Sequence, residues 1–230
     1  MLKVTFRIFR LKPSRLDPPC YQNFELEVRP HMTVLDCLEK IRLEQDSTLM
    51  YRHSCHHSSC GTCACRINGE EKLACITRVH ELNVDEINLA PLKGFTQKGD
   101  LVVEMEKFFK DFSEHWSYLK GVETMKSTRM LHGIQGFTRF EDCIECGACV
   151  SACPVHHKNK AFIGPAVLSA IHSEIKKTPQ KEKRLLLQAG KKHGLNLCES
   201  ALICSRVCPT GVYPARHISD LRRLLAGKKS

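Results

Sequence analysis

The sequence contains no apolar run long enough to cross a bilayer. Its most apolar stretch, Ala161–Ile171, is about half as long as the ~20 residues a membrane-spanning helix needs, and it contains Gly164-Pro165. Met1 leads directly into an alternating strand pattern at Lys3–Arg10, with no apolar h-region before it. We therefore expect neither a signal peptide nor a transmembrane segment, and any work at a membrane needs a separate anchor.

Aromatic residues are scarce, at 7% of the chain, and they are not interleaved with the basic residues. This pattern argues against nucleic-acid binding, although residues 107–230 carry a net charge of +11 and residues 1–106 a net charge of −1. A basic half of this kind suits acidic lipid headgroups, an acidic partner or negatively charged metal centres within the chain.

Cysteine is abundant, with 14 in 230 residues. Disulfide-rich domains are usually short, secreted and preceded by a signal peptide, and none is expected here. The composition therefore favours metal ligation in a reducing compartment.

Four cysteines in the N-terminal half have the plant-type spacing of a [2Fe–2S] site: Cys55, Cys60, Cys63 and Cys75. The small residues Ser58, Ser59 and Gly61 let the backbone approach the cluster and offer N–H donors to sulfur. Asn68-Gly69 predicts a hairpin turn that returns the chain so that the fourth cysteine reaches the same site.

Zinc and a Rieske-like centre are the alternatives for this segment. Zinc usually takes two Cys-x2-Cys knuckles, and only one is present. Three nearby histidines, His53, His56 and His57, would allow a Rieske-like centre in which histidine ligates iron, but four cysteines already have workable spacing. The remaining cysteines of this half, Cys20, Cys37 and Cys65, are interpreted as structural thiols.

A second cysteine set follows the bacterial ferredoxin pattern, in which the last cysteine of each run ligates the other cluster. The crossed pairing predicts a [4Fe–4S] site from Cys143, Cys146, Cys149 and Cys208. It leaves Cys153, Cys198 and Cys204 for another site, where the position of a fourth ligand is occupied by Ala201. Because alanine cannot bind iron, we expect a [3Fe–4S] cluster; the alternative is a four-iron cluster with water or substrate on its open iron.

The periodicity predicts strands at Lys3–Arg10, Phe24–Arg29, Ala64–Asn68, Ile87–Ala90 and Leu101–Glu104. It predicts a helix over 33–41 with Thr33 as N-cap, and helical periodicity over 104–119. The remainder contains no convincing strand; helices are expected near Cys146–Cys153, Pro165–Lys177, Glu182–Lys192, Leu197–Val207 and Ala215–Leu225.

The fold class is therefore α+β: an N-terminal β-grasp plant-type ferredoxin domain and an α-helical, bacterial-type two-cluster ferredoxin domain. The predicted boundaries are 1–105 for the first domain, 106–136 for a helical connector with a polar stretch at Gly121–Gly136, and 137–230 for the second domain.

This arrangement resembles the iron–sulfur subunit of the succinate dehydrogenase and fumarate reductase family. Besides the cysteine spacing, the resemblance lies in Arg66–Gly69 with Leu73–Cys75, Asp100–Val103, Cys143–Gly147 and Phe162–Ala166. It implies an electron-transfer subunit, without substrate chemistry of its own, between the FAD of a flavoprotein subunit and a quinone at a membrane-anchor subunit. The implied location is peripheral, on the cytoplasmic face of the inner membrane.

The chain departs from that family at the quinone end. Many members have a tryptophan in the segment after the first Cys-Pro and a histidine after the next cluster cysteine. Here Val155–Ala161 has no tryptophan, and Glu199 follows Cys198. His156 and His157 are candidate quinone-side residues, although exposed loop histidines are more often inert. Anchor haems, or a soluble or heterodisulfide-reductase-like, thiol-linked fumarate reductase, form the alternative.

Two further function classes make different predictions. A zinc-stapled interaction protein is colourless, whereas the three-cluster protein is brown with about nine irons. An independent redox enzyme needs acid and base groups around Ala201, and Glu199 and Ser200 are weak support for that.

Overall fold

The chain folds into two compact units, Met1–Met105 with Ile144–Ser151, and Glu106–Cys143 with Ala152–Ser230. The structure is a computed structural model, and it describes residues 2–12, 18–112, 142–177 and 180–227. The predicted connector Gly121–Gly136, and the part of the predicted helical segment beyond residue 112, lie outside the described residues.

The first unit is built on a five-stranded sheet with the order β2-β1-β5-β3-β4. Its strands are β1 Leu2–Arg10, β2 Cys20–Val28, β3 Ala64–Ile67, β4 Glu70–Leu73 and β5 Glu86–Ala90. β1 pairs with β5 in parallel, and the other pairs are antiparallel. Val4, Phe6 and Ile8 alternate with more exposed neighbours and are fully buried, so β1 gives one face to the core.

Helix α1 runs from Val34 to Glu44 and begins where the sequence predicts. Thr33 is the N-cap: its hydroxyl accepts from the Asp36 backbone N–H, and the Asp36 carboxylate accepts from the Thr33 backbone N–H, which completes a capping box. The predicted hairpin turn is also confirmed, since Asn68 and Gly69 have φ of 51° and 87° between β3 and β4.

The predicted strand at Leu101–Glu104 is wrong. The chain doubles back over residues 96–104, so that only one isolated bridge, Gln97 to Val103, forms there. The buried carboxylate of Asp100 fixes this turn by accepting from the backbone N–H groups of Leu11 and Met50, each at 2.8 Å. Asp100 is in turn held by the buried guanidinium of Arg10 at 3.1 Å. This network anchors Met50, where the loop that contains the first cysteines begins.

Short helices complete the first unit: α2 at Val79–Leu82 and a single turn at Ala148–Ser151. The latter is shorter than the helix expected over Cys146–Cys153, because Cys153 is the extended N-cap of a separate helix.

The second unit is helical, and its described residues contain no strand. Its longer helices are Pro165–Lys177, Gln180–Lys192 and Pro214–Leu225. Shorter segments are Glu106–Lys110, Pro154–Lys158, the 3-10 turn Leu195–Leu197 and Ile203–Arg206. Its core is formed by buried apolar side chains, including Phe162, Leu168, Ile171, Ile218 and Leu221.

The continuous helix expected over Leu197–Val207 is also wrong. Residues 198–202 form an irregular loop in which Ser200 and Leu202 have φ of 58° and 61°. A right-handed helix excludes such values, so two positive-φ residues separate the 3-10 turn from the helix Ile203–Arg206. Among the described residues, no helix is long and apolar enough to span a membrane.

Candidate iron–sulfur centres

The four cysteines predicted for the first cluster lie in one part of the first unit. Three belong to the loop between α1 and β3, and Cys75 follows β4. Backbone N–H groups of this loop point at the sulfurs: Ser58 donates to Cys75 Sγ, and Ser59 and Cys60 donate to Cys55 Sγ, each at 3.3 Å. The amide donors expected at Ser58 and Ser59 are therefore present, and they suit sulfur that carries negative charge.

The loop reaches this shape through left-handed backbone conformations at His56, Ser58 and Gly61. Gly61 has φ of 68°, and a Cβ added there lies 2.7 Å from the carbonyl oxygen of Ile144 and 2.8 Å from Cys146 Cβ. Both neighbours belong to the same compact unit. Only glycine lets the first cysteine loop lie directly against the segment that begins the second cysteine set.

The thiols of the loop do not ionise equally. Backbone hydrogen bonding by His57, assisted by Cys60 and Ser59, lowers the pKa of Cys55 to about 7. Burial raises the pKa of Cys63 to about 12. A buried thiol of this kind becomes a thiolate when a cation compensates its charge, which is the condition that bound iron satisfies. Arg52 adds positive charge close to Cys60 and Cys63.

The remaining cysteines of this half differ in burial. Cys37 on α1 and Cys65 on β3 are buried, and burial raises the pKa of each to about 12. Cys20, at the start of β2, is exposed.

A cavity of about 180 Å³ lies within the second unit, and the three cysteines predicted for the last cluster line it. Cys153 and Cys204 are buried, and Cys198 is partly buried. Ala201 also lines the cavity, so the position without a sulfur ligand faces the same space. Burial raises the pKa of Cys153, and it raises that of Cys204 to about 12, so these thiols also need a cation to ionise.

Arg222 fixes the cysteine loop beside this cavity. It lies on the helix Pro214–Leu225, and its Nη2 donates to the carbonyl oxygens of Leu195 at 3.1 Å, Asn196 at 3.3 Å and Cys198. Its Nη1 donates to Ser200 Oγ at 3.3 Å. One guanidinium therefore replaces the backbone hydrogen bonds that an irregular loop cannot make for itself.

The four cysteines predicted for the [4Fe–4S] cluster are divided between the two units. In the first unit, Cys146 and Cys149 are partly buried on the segment that starts at Ile144. In the second unit, Cys143 and Cys208 pack against the buried side chains of Ala170 and Val212. Val212 donates its backbone N–H to Cys208 Sγ at 3.3 Å, which is the kind of donor that a cluster thiolate receives.

The rings of the histidines singled out by the sequence, where their contacts are known, meet nitrogen or oxygen atoms. His53 and His56 face each other and Glu39 on α1, and His57 contacts the carbonyl oxygen of Cys55. His156 is half-buried, with Nδ1 3.1 Å from the carbonyl oxygen of Phe162. Burial lowers the pKa of His156, so its ring is neutral at pH 7.

Sequence reasoning missed Arg222 and Arg52. Arg222 is one of several basic residues on its helix, and no local pattern separates it from Arg223. Arg52 immediately precedes the histidines and offered a weak signal, since a basic residue beside a thiolate loop compensates negative charge.

Comparison with known families agrees with this geometry. Residues 5–110 match the model of a 2Fe-2S iron–sulfur cluster binding domain, and residues 139–212 match the model of a 4Fe-4S dicluster domain. The chain is 30% identical, over 96% of its length and 91% of the relative's, to the mitochondrial succinate dehydrogenase [ubiquinone] iron–sulfur subunit of Candida glabrata.

Solved structures share the fold. A chain of the Mycobacterium smegmatis Sdh1 complex in the apo form has a TM-score of 0.76 at 20% identity, over 98% of this chain and 96% of that one. A hypothetical protein from Helicobacter pylori has a TM-score of 0.64 at 18% identity, over 100% of this chain and 41% of that one. The α+β ferredoxin architecture is thus confirmed. The chain belongs to the family of succinate dehydrogenase iron–sulfur subunits, and it is an electron-transfer subunit of an oxidoreductase complex.

Proposed function

We propose that this subunit connects the FAD of a flavoprotein subunit to quinone through three clusters held by eleven cysteines. The [2Fe–2S] cluster takes Cys55, Cys60, Cys63 and Cys75; the [4Fe–4S] cluster takes Cys143, Cys146, Cys149 and Cys208; the [3Fe–4S] cluster takes Cys153, Cys198 and Cys204. When bound, these clusters accept and release electrons one at a time.

The cavity in the second unit is the observation that carries this proposal. It has three buried or half-buried thiols and a methyl group, that of Ala201, where a fourth thiol belongs in a complete ferredoxin run. A site with three sulfur ligands suits a [3Fe–4S] cluster, which typically has a higher potential than a low-potential [4Fe–4S] cluster. A higher potential at the last centre favours electron flow towards an acceptor such as quinone.

The residues of this chain hold the clusters and set their surroundings. Backbone N–H groups of Ser58, Ser59 and Cys60 stabilise negative sulfur at the first site, and the N–H of Val212 does so at Cys208. Gly61 permits close approach of the first cysteine loop to Cys146, so that the path between the first two sets of ligands is short. None of these residues acts as an acid, base or nucleophile on succinate.

Membership of the family gives the chain two kinds of partner, a flavoprotein subunit and a membrane-anchor subunit. Residues 1–106 have a net charge of −1 and residues 107–230 a net charge of +11. We assign the near-neutral half to the flavoprotein and the basic half to the membrane side, where acidic headgroups attract it. The chain is peripheral in such a complex, and we propose the cytoplasmic face of the inner membrane as its location.

The thiol-linked fumarate reductase is the less favoured alternative, because the curated relative is a succinate dehydrogenase subunit. That His156 and His157 contact quinone stays a prediction. Neither residue lines the cavity that the structure describes, and the ring of His156 is directed to the carbonyl oxygen of Phe162.

Purification of the complex through a tag on this chain tests the proposal. We expect flavin to co-purify and succinate, but not malate, to bleach the iron–sulfur absorbance. Cys198→Ser should remove the signal of the last cluster, whereas Cys20→Ser, which changes an exposed cysteine outside the three sets, should leave all clusters intact. Absence of flavin, or an unchanged last cluster in Cys198→Ser, contradicts the assignment.

A further inference from the structure

Glu39, His53 and His56 form a compact cluster of side chains on the surface of the first unit. Glu39 lies on α1, and the two histidines flank Cys55 in the loop that follows. His53 Nδ1 and His56 Nε2 are 3.1 Å apart, and Glu39 Oε1 lies 3.7 Å from the first and 3.5 Å from the second. The function proposed above uses none of the three.

The three separations describe one face of a metal coordination polyhedron. Zinc binds histidine nitrogen and carboxylate oxygen at about 2.0–2.1 Å, so neighbouring ligand atoms of a tetrahedral site are roughly 3.3–3.4 Å apart. The observed 3.1, 3.5 and 3.7 Å lie on both sides of that value. An ion therefore fits in contact with all three atoms with small side-chain adjustments.

The cluster is accessible to an ion from solvent. The side chains of Glu39, His53 and His56 are between 34% and 42% exposed, so an ion can enter and a water can take the fourth position. His56 has φ of 61°, a left-handed backbone conformation. The two rings meet edge to face, with centroids 5.2 Å apart.

We propose that Glu39, His53 and His56 bind a divalent transition-metal ion, Zn²⁺, at a site separate from the iron–sulfur clusters. Two imidazoles and one carboxylate are ligands that zinc accepts, whereas Mg²⁺ and Ca²⁺ prefer oxygen ligands alone. The bound ion ties helix α1 to the loop that presents Cys55 and Cys60. All three ligands belong to this chain, so the site forms whatever the partner subunits and the direction of electron flow.

Zinc titration of the cluster-loaded protein tests this site. After removal of loosely bound metal, we expect one Zn²⁺ per chain by elemental analysis, with iron content unchanged. The zinc X-ray absorption spectrum should show nitrogen and oxygen ligands only, without a sulfur shell at about 2.3 Å. Zinc bound through sulfur, or no retained zinc, overturns the proposal.

Matched variants locate the ion. Glu39→Gln and His53→Gln each remove one ligand and should weaken Zn²⁺ binding roughly 100-fold or more. Glu44→Gln on the same helix and His80→Gln, both exposed, should bind Zn²⁺ like the unaltered protein. Glu39→Gln lies on α1 and leaves the sequence of the cysteine loop unaltered, so it is informative even where His53→Gln disturbs the first cluster. Equal zinc affinity in Glu39→Gln and Glu44→Gln excludes the site.

Discussion

Replacing Gly61 by alanine probes the contact between the first cysteine loop and the segment that starts the second cysteine set. The native φ of 68° is left-handed, and an alanine there costs about 1–2 kcal/mol. The new Cβ also lies 2.7 Å from Ile144 O and 2.8 Å from Cys146 Cβ, closer than such atoms approach in proteins. Overpacking of this kind costs about 1–3 kcal/mol, so we expect a total of roughly 2–5 kcal/mol.

Gly69→Ala is the matched control. Gly69 has φ of 87°, and a Cβ added there meets nothing within 4 Å. The substitution therefore has the free-energy cost of the left-handed backbone conformation but not the cost of a steric clash. The two variants should therefore differ by about 1–3 kcal/mol, which is roughly 2–12 °C in apparent melting temperature for a chain of this size.

Thermal unfolding of the cluster-loaded protein, at one fixed scan rate, measures this difference, with iron per chain as a second readout. We expect Gly61→Ala to melt lower than Gly69→Ala and to lose iron first. If both variants melt at the same temperature and retain equal iron, the close approach at Gly61 has no energetic consequence and the argument fails.

Three more changes have defined outcomes. Ala201→Cys should convert the last centre to a [4Fe–4S] cluster, seen as one additional iron per chain and loss of the oxidised-state EPR signal. An unchanged spectrum counts against the view that Ala201 leaves this cluster with three sulfur ligands. Arg222→Gln removes the guanidinium that holds the Cys198 loop and should accelerate loss of the last cluster in air, whereas Arg223→Gln, 4.0 Å from its carboxylate partner, should not; equal rates contradict the role assigned to Arg222. His172 is buried and its Nδ1 lies 2.9 Å from Nδ1 of His217, and burial lowers the pKa of His172 to about 4. The neutral ring therefore contributes stability that is present above about pH 6.5 and decreases as the pH falls towards 4. Urea unfolding should show a loss of about 1 kcal/mol between pH 7.5 and pH 5.5 that is absent in His172→Phe, and an equal pH dependence in both proteins refutes it.

Much of the fold was predictable because its local signals agree with the tertiary structure. Three local signals agree with the tertiary structure: the capping box at Thr33, the Asn68-Gly69 turn and the alternating pattern of β1. Each determines a local conformation that is compatible with the packing of the core. The helix Pro165–Lys177 has the predicted limits, since Pro165 is favourable in the first turn of a helix and its apolar face is buried.

The wrong predictions at Leu101–Glu104 and Leu197–Val207 share a physical cause. Leu101–Glu104 has strand-like periodicity, but Asp100 is held by distant partners, Arg10 and the backbone of Met50, and the chain turns there instead. The segment Leu197–Val207 has helical composition, yet Ser200 and Leu202 take left-handed conformations beside the cavity. In both cases a long-range requirement overrides a local preference.

The candidate sites were predictable in a different way. Cysteine spacing identifies ligand sets because few chemistries require thiolates at those intervals, so grouping of Cys153, Cys198 and Cys204 around one cavity was expected. The roles of Arg222 and Glu39 could not be predicted, since each depends on a contact between segments that are far apart in the sequence or lie on different elements. The spacing of residues along the sequence cannot show which distant segments come into contact in the fold.

Electron paramagnetic resonance of the intact, oxidised complex tests the central claim most directly. With Ala201 in place of a fourth ligand, we predict the signal of an oxidised [3Fe–4S] cluster and seven irons in the two C-terminal clusters, nine in the whole subunit. Absence of that signal, together with eight irons in the two C-terminal clusters, contradicts the account.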